Sequence, residues 1–323
     1  MQRTSLQVTS NVLAGNPMGD KNERTITIFS PDKQKQNSPL IIALPSFAND
    51  PDSFLSSSPL SESFSSIVNR LYEKDVLNGA SIAIIDSFTK LGGNFYLNSS
   101  AVGQYESFIV KEVVPELRKK LSPLLIGLVG KGSGGFGAYS LAVKNPGVFS
   151  GFAAHSMDAG FENVFLPDFS IAMENFRNSA GPSKWLQKYW SGFNRINSNK
   201  IKILRILCAS AFFSPDNESK EMHVDFPFNW ESGEFRQDIW NRWLSNDPAR
   251  NVAQMSRQLE SMKGVFIDAG TMDDFSAIWG ARTIDTKMTE AKINHTYEEY
   301  EDGHFGINYR FEKSLPFLAQ ALS

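Results

Sequence analysis

Short apolar runs recur along the chain, with amphipathic stretches between them. Thr25-Ile26-Thr27-Ile28-Phe29 alternates apolar and polar positions, the pattern of a half-exposed strand. Leu40–Leu44, Ser81–Ile85 and Leu124–Val129 are almost continuously apolar, as strands buried on both faces are. Phe149–Ala154, Gly264–Asp268 and Thr296–Tyr300 extend the series. Apolar residues at helical spacing predict helices over Phe64–Leu71, Tyr105–Leu117, Gly137–Lys144 and Ser314–Leu322. The third stops at Asn145-Pro146-Gly147, a strong terminator. Strand and helix alternate, so the expected fold is α/β: a mostly parallel sheet, helices on both faces, and ligands at the carboxyl ends of the strands.

The stretch 155–262 breaks this rhythm. It holds Trp185, Trp190, Trp230, Trp240 and Trp243 among many Asn, Ser and Pro residues. It is expected to be a helical, Trp-rich insertion over the sheet's carboxyl edge. Two readings stay open for its aromatics: an ordinary helical layer with core tryptophans, or a cap that forms a pocket. On the second, Trp240 and Trp243 are candidate pocket residues, and so is His155, which follows the strand ending at Ala154. With 323 residues, one domain carrying an insertion fits better than two independent domains.

Composition narrows the function. A net charge of -3 and a pI of about 5.9, with no basic block, leave nucleic-acid binding without electrostatic support. The one cysteine, Cys208, lies inside the apolar run Ile203–Ala209 and reads as a buried thiol. Residues 1–8 show no apolar leader core, and no apolar run has the length of a membrane span. A cytoplasmic protein without membrane association is the expectation. No His, Cys and Asp residues have metal-ligand spacing, so neither a metal nor another cofactor is expected. The oligomeric state, a homo-oligomer included, is not legible.

The most informative segment is Leu128-Val129-Gly130-Lys131-Gly132-Ser133-Gly134-Gly135-Phe136-Gly137-Ala138-Tyr139. It leaves a buried strand and opens a helix, the context of the G-x-S-x-G nucleophile elbow of α/β-hydrolases. The central residue of that turn has φ > 0, and glycines at -2 and +2 let strand and helix approach. Those glycines are Gly130 and Gly134, so the centre is Gly132. Centring on Ser133 would put Lys131 at -2, where a bulky side chain is disfavoured. Gly132 has no oxygen with which to attack a carbonyl. A phosphate loop is the rival, but its Lys-Ser/Thr ending is missing.

In this fold, acid and base follow the nucleophile in the order Asp, His. Asp273, with Asp274 as the alternative, follows the strand ending at Asp268. His304 sits on a glycine-flanked loop after the next strand. His223 and His295 read as surface residues.

These motifs resemble the Putative esterase family, which includes esterase D (S-formylglutathione hydrolase) and enterochelin esterase-like proteins. The elbow matches the family's G-x-S-x-G-G-[YF]-G-A at every fixed position except the serine. Gly270-Thr271-Met272-Asp273 resembles its acid motif and Asp302-Gly303-His304 its base motif. The resemblance implies an α/β-hydrolase fold and a serine carboxylic-ester hydrolase working through an acyl-enzyme on a small ester or acyl substrate. Asp273 would orient His304, which would accept the nucleophile's proton and pass it to the leaving alcohol. The Ser133 N–H would be one oxyanion donor. The second would come from Pro45-Ser46-Phe47, with Phe47 preferred over Ser46, where the family reads roughly His-Gly or Ser-Gly. With Gly132 in the nucleophile's place, the chain reads as an inactivated variant. A non-catalytic ligand-binding pseudo-hydrolase and an acyltransferase are the alternatives.

Overall fold

The computed structural model describes residues 1–32, 37–57, 62–192 and 198–323. Its main sheet contains β1 (Gln2–Thr9), β2 (Glu23–Ser30), β3 (Leu40–Leu44), β4 (Ser81–Ile85), β5 (Ile126–Lys131), β6 (Gly151–His155), β7 (Gly264–Gly270) and β8 (Thr296–Tyr300). They lie side by side in the order β1-β2-β4-β3-β5-β6-β7-β8. β1 pairs antiparallel with β2, and β2 antiparallel with β4; every pairing from β4 to β8 is parallel.

The apolar runs seen in the sequence are these strands. β3 and β4 are buried along their whole length, because helices cover both faces. On one face lie α1 (Phe64–Glu73) and, at the end of the chain, a helix at Phe311–Ala321; Ile67, Val68, Phe311 and Leu315 pack there against Ile41, Ile84 and Val129. On the other lie α2 (Val114–Leu121), α3 (Ser133–Lys144) and a helix at Ala277–Glu290. The helix expected over Tyr105–Leu117 is broken by a π turn at Ile109–Val113, just before Pro115. Proline has no N–H for the carbonyl four residues back, and its ring crowds that carbonyl; widening the preceding turn relieves both.

Apart from 193–197, which lie outside the described residues, the stretch 155–262 is largely helical. It contains α4 (Phe169–Asn178), α5 (Pro182–Ser191), α6 (Ser198–Phe213) and α7 (Gln237–Leu244). Trp240 and Trp243 were candidate pocket residues, and the structure corrects that. Both are buried, Trp243 completely. Trp243 packs edge-on against Phe165, Phe169 and Phe213 and donates its indole N–H to Ser214 Oγ at 2.9 Å. They belong to the apolar core that runs from this helical stretch onto the sheet. α8 (Ala277–Glu290) and α9 (Phe311–Ala321) complete the two layers. Among the described residues no helix is long and apolar enough to cross a membrane.

Candidate active site

The turn from β5 into α3 puts Gly132 at φ 55°, ψ -121°. The flanking glycines are required by contact. A Cβ on Gly130 would collide with the backbone of Gly134, and one on Gly134 with the carbonyl of Leu44 on β3. The crossing of β5, α3 and β3 therefore sets the register that centres the turn on Gly132. Ser133 opens α3, where the first N–H groups have no intrahelical acceptor. Its hydroxyl is buried and, among the described residues, without a partner.

Two loops bring the other groups to Gly132. After β7, Asp273 accepts hydrogen bonds at Oδ1 from the N–H groups of Phe275 and Ala277, at 2.9 and 3.2 Å. Its Oδ2 lies 2.8 Å from His304 Nδ1. After β8, the His304 N–H donates to Asp274 Oδ2 at 2.8 Å. Asp273 thus meets the imidazole, while Asp274 holds the backbone of the histidine loop. Burial pushes the Asp273 pKa up, but the hydrogen bond and charge of His304, with the two backbone donors, outweigh it, and the carboxyl sits below its ordinary value. With Nδ1 engaged, the other ring nitrogen faces the elbow. A Cβ built on Gly132 would lie 3.1 Å from His304 Nε2.

The loop after β3 completes the surroundings. Ser46 Cβ stands 3.9 Å from that same Cβ position. Asn49, missed in the sequence, ties the loop by donating its side-chain amide to Ser46 Oγ at 2.7 Å. Among the described residues, the N–H groups of Ser133, Ser46 and Phe47 have no hydrogen-bond acceptor.

Other expected residues fall elsewhere. His155 does not line a pocket: it is buried on the α9 face, with Nδ1 2.8 Å from Asp268 Oδ1 and Nε2 2.8 Å from Ser314 Oγ. Strand alternation explains this, since His155 shares the face of Ala153, which packs toward α9. Arg310 Nε donates to the second oxygen of Asp268 at 2.8 Å, so the group is a closed polar network. His223 is exposed, whereas the His295 side chain is largely covered and pairs with Asp285. Cys208 is fully buried, and burial pushes its thiol pKa well up.

Two charged groups near the site were not singled out. Lys131, the last residue of β5, is half-buried and has no ion-pair partner among the described residues. Burial lowers its ammonium pKa to about 8, against the opposing pull of Asp273. Arg205, on α6, reaches into the same region. Its Nη2 donates to Asp158 Oδ1 at 2.5 Å, and the guanidinium stacks between the rings of Phe165 and Phe275 at 4.5 and 4.6 Å. The visible signal was a lone cation inside the apolar run around Cys208.

The sequence matches the model of the family described as "Putative esterase" over residues 21–316. The chain belongs to that esterase family. Solved structures with the same fold include a ferulic acid esterase (15% identity, TM-score 0.59, 100% of this chain and 98% of that one). An S-formylglutathione hydrolase from Agrobacterium tumefaciens is similar at 14% identity and TM-score 0.56, over 99% and 95% of the two chains. Mycobacterium tuberculosis MPT51 is similar at 13% identity and TM-score 0.61, over the whole of both chains. No sequence match to a curated protein reaches significance. This esterase-family scaffold is thus an α/β-hydrolase fold, with an Asp–His pair at the carboxyl edge and glycine at the elbow. Among the described residues no group of three His, Cys, Asp or Glu side chains is placed to hold a metal ion.

Proposed function

We propose that this chain is a serine-esterase scaffold arrested before the acyl-enzyme: it binds a small ester or acyl ligand and does not attack it. The observation that carries this reading is the Asp273–His304 pair, its Nε2 aimed at the Cβ position of Gly132. In the serine form, His304 Nε2 would take the hydroxyl proton as the oxygen attacks the carbonyl. Asp273 would stabilise the imidazolium, and His304 would return the proton to the leaving alcohol. The tetrahedral oxyanion would be met by the Ser133 N–H, with Phe47, or Ser46 as second choice, supplying the other donor. Water would then release the acid by the same exchange. Ser133 itself is no substitute nucleophile on this reading: among the described residues its buried hydroxyl has no hydrogen-bond partner, and so no base to activate it.

The retained dyad favours an inactivated esterase over a long-silent binding protein. A site no longer under catalytic demand has no reason to hold Nδ1 at 2.8 Å from a carboxylate with two further backbone donors. A cytoplasmic setting belongs to the same proposal. The test is Gly132→Ser with short p-nitrophenyl esters. Hydrolysis should rise by about 10³-fold or more, since loss of a triad nucleophile removes on the order of 10⁶ in kcat. A serine variant that folds, binds ester and stays inert would overturn the assignment.

A further inference from the structure

Three rings meet at the proposed base. Phe275, His304 and Phe305 are in mutual edge contact, with centroids 4.8, 5.7 and 5.7 Å apart. Phe275 is backed by the Arg205 guanidinium, but Phe305 is 58% exposed. Met272, next to Asp273, is 65% exposed, and Tyr309 is 42% exposed. Of the seven large apolar side chains strongly exposed among the described residues, these three lie on or just after the two loops that carry Asp273 and His304. Scattered surface apolars need no explanation; several on the two loops that carry one polar pair point to a ligand.

The loops hold these side chains in place. The Thr271 N–H donates to Tyr300 O at 2.8 Å, and the Met272 N–H to Asp302 O at 3.1 Å. The rim is also acidic. Asp273, Asp274, Glu301 and Asp302 all belong to these loops. Arg205 is paired with Asp158, and Arg310 with Asp268 and Glu298. Lys131 lies in the field of Asp273.

A base that returns its proton to the leaving alcohol must stand within hydrogen-bond reach of that oxygen. The rest of the alcohol then lies against the neighbours of His304. We infer that Phe305 and Met272, backed by Phe275, form the subsite for the alcohol portion of the bound ester, and that it selects an apolar, uncharged or cationic alcohol over an anionic one. The inference rests on His304 being the base of the proposed function.

The test uses the native Gly132 chain with two alcohols that carry no cleavable bond, 2-naphthol and 6-hydroxynaphthalene-2-sulfonate, followed by calorimetry and by the imidazole proton resonances of His304. The neutral naphthol should bind at least tenfold more tightly and shift the His304 resonances. Phe305→Ser and Met272→Ser should each weaken it three- to tenfold, with Phe235→Ser, an exposed ring in the insertion, unchanged. The substituted side chains are exposed, so loss of folding is not a competing explanation. Equal or tighter binding of the sulfonate, or an unchanged affinity in Phe305→Ser, would overturn the subsite. Binding is read whether or not Gly132→Ser restores hydrolysis, so the two proposals fail separately.

Discussion

At the scale of single residues, Gly132 carries two opposing effects. Its φ of 55° suits glycine, and a side chain there is strained by about 1 kcal/mol. A serine Cβ would also meet His304 Nε2 at 3.1 Å, so the imidazole must retreat by a few tenths of an ångström. Gly132→Ser should therefore lower the melting temperature by a few degrees while raising esterase activity, which one thermal scan beside the ester assay would show. Lys131 works against stability in the native chain. Burial depresses its pKa to about 8, against about 10.4 in an unfolded chain. Below pH 8 the amine is charged in both states and the destabilisation is complete. Above about pH 10.4 it is neutral in both and the effect is gone, so stability rises between those limits. Lys131→Met is expected to stabilise the fold by about 1–2 kcal/mol at pH 7, a figure reduced because the side chain is only half-buried. The gain should disappear near pH 10.5; paired urea titrations at both pH values would measure it, and an equal gain at both would refute the desolvation account.

At the scale of elements, the elbow was the most legible part of the site, since its glycines obey a contact rule written into the sequence. The tryptophans of the insertion were not, because a periodic aromatic does not say whether it meets a ligand or another ring. Here Trp240 and Trp243 meet rings. The 155–262 stretch touches the site through α6 instead. Arg205 ties that helix to Asp158 after β6 and to Phe275 after β7. Such a partnership spans 47 residues to Asp158, and no local pattern encodes it. Arg205→Met would leave Asp158 buried without its cation, a loss on the order of 3–5 kcal/mol. Adding Asp158→Asn should return a large part of it. Urea unfolding of the two single variants and the double variant measures the coupling; additive losses would mean that the pair acts independently.

At the scale of the whole molecule, the parallel half of the sheet was readable because strands buried on both faces are unbroken apolar runs. β3, β4 and β8 occupy the expected residues, and β5 and β6 are shifted toward the carboxyl end by one or two residues. β1 was not legible. It is mostly exposed, with only Val8 buried, so its sequence Gln2–Thr9 has no strong apolar signal. Its place comes from the ladder, in which all eight residues from Gln2 to Thr9 pair with Ser30 to Glu23. That distinction predicts what its removal does. β2 does not depend on β1 for its position: it pairs with β4 on its other edge, and buried Arg24 reaches Asp86 Oδ1 at 3.3 Å and the Phe88 carbonyl at 2.8 Å. Deleting residues 1–9 should leave the site and any activity of the Gly132→Ser form in place. The loss of Leu6 and Val8 packing should lower stability by about 2 kcal/mol. The larger consequence is an open edge: β2 would present unpaired N–H and C=O groups along eight residues, a template for another chain. The truncated protein is therefore expected to associate with rising concentration in light scattering while its dilute solution stays folded. A truncated chain that is unfolded even when dilute would show instead that the β1–β2 pairing is needed to form the sheet at all.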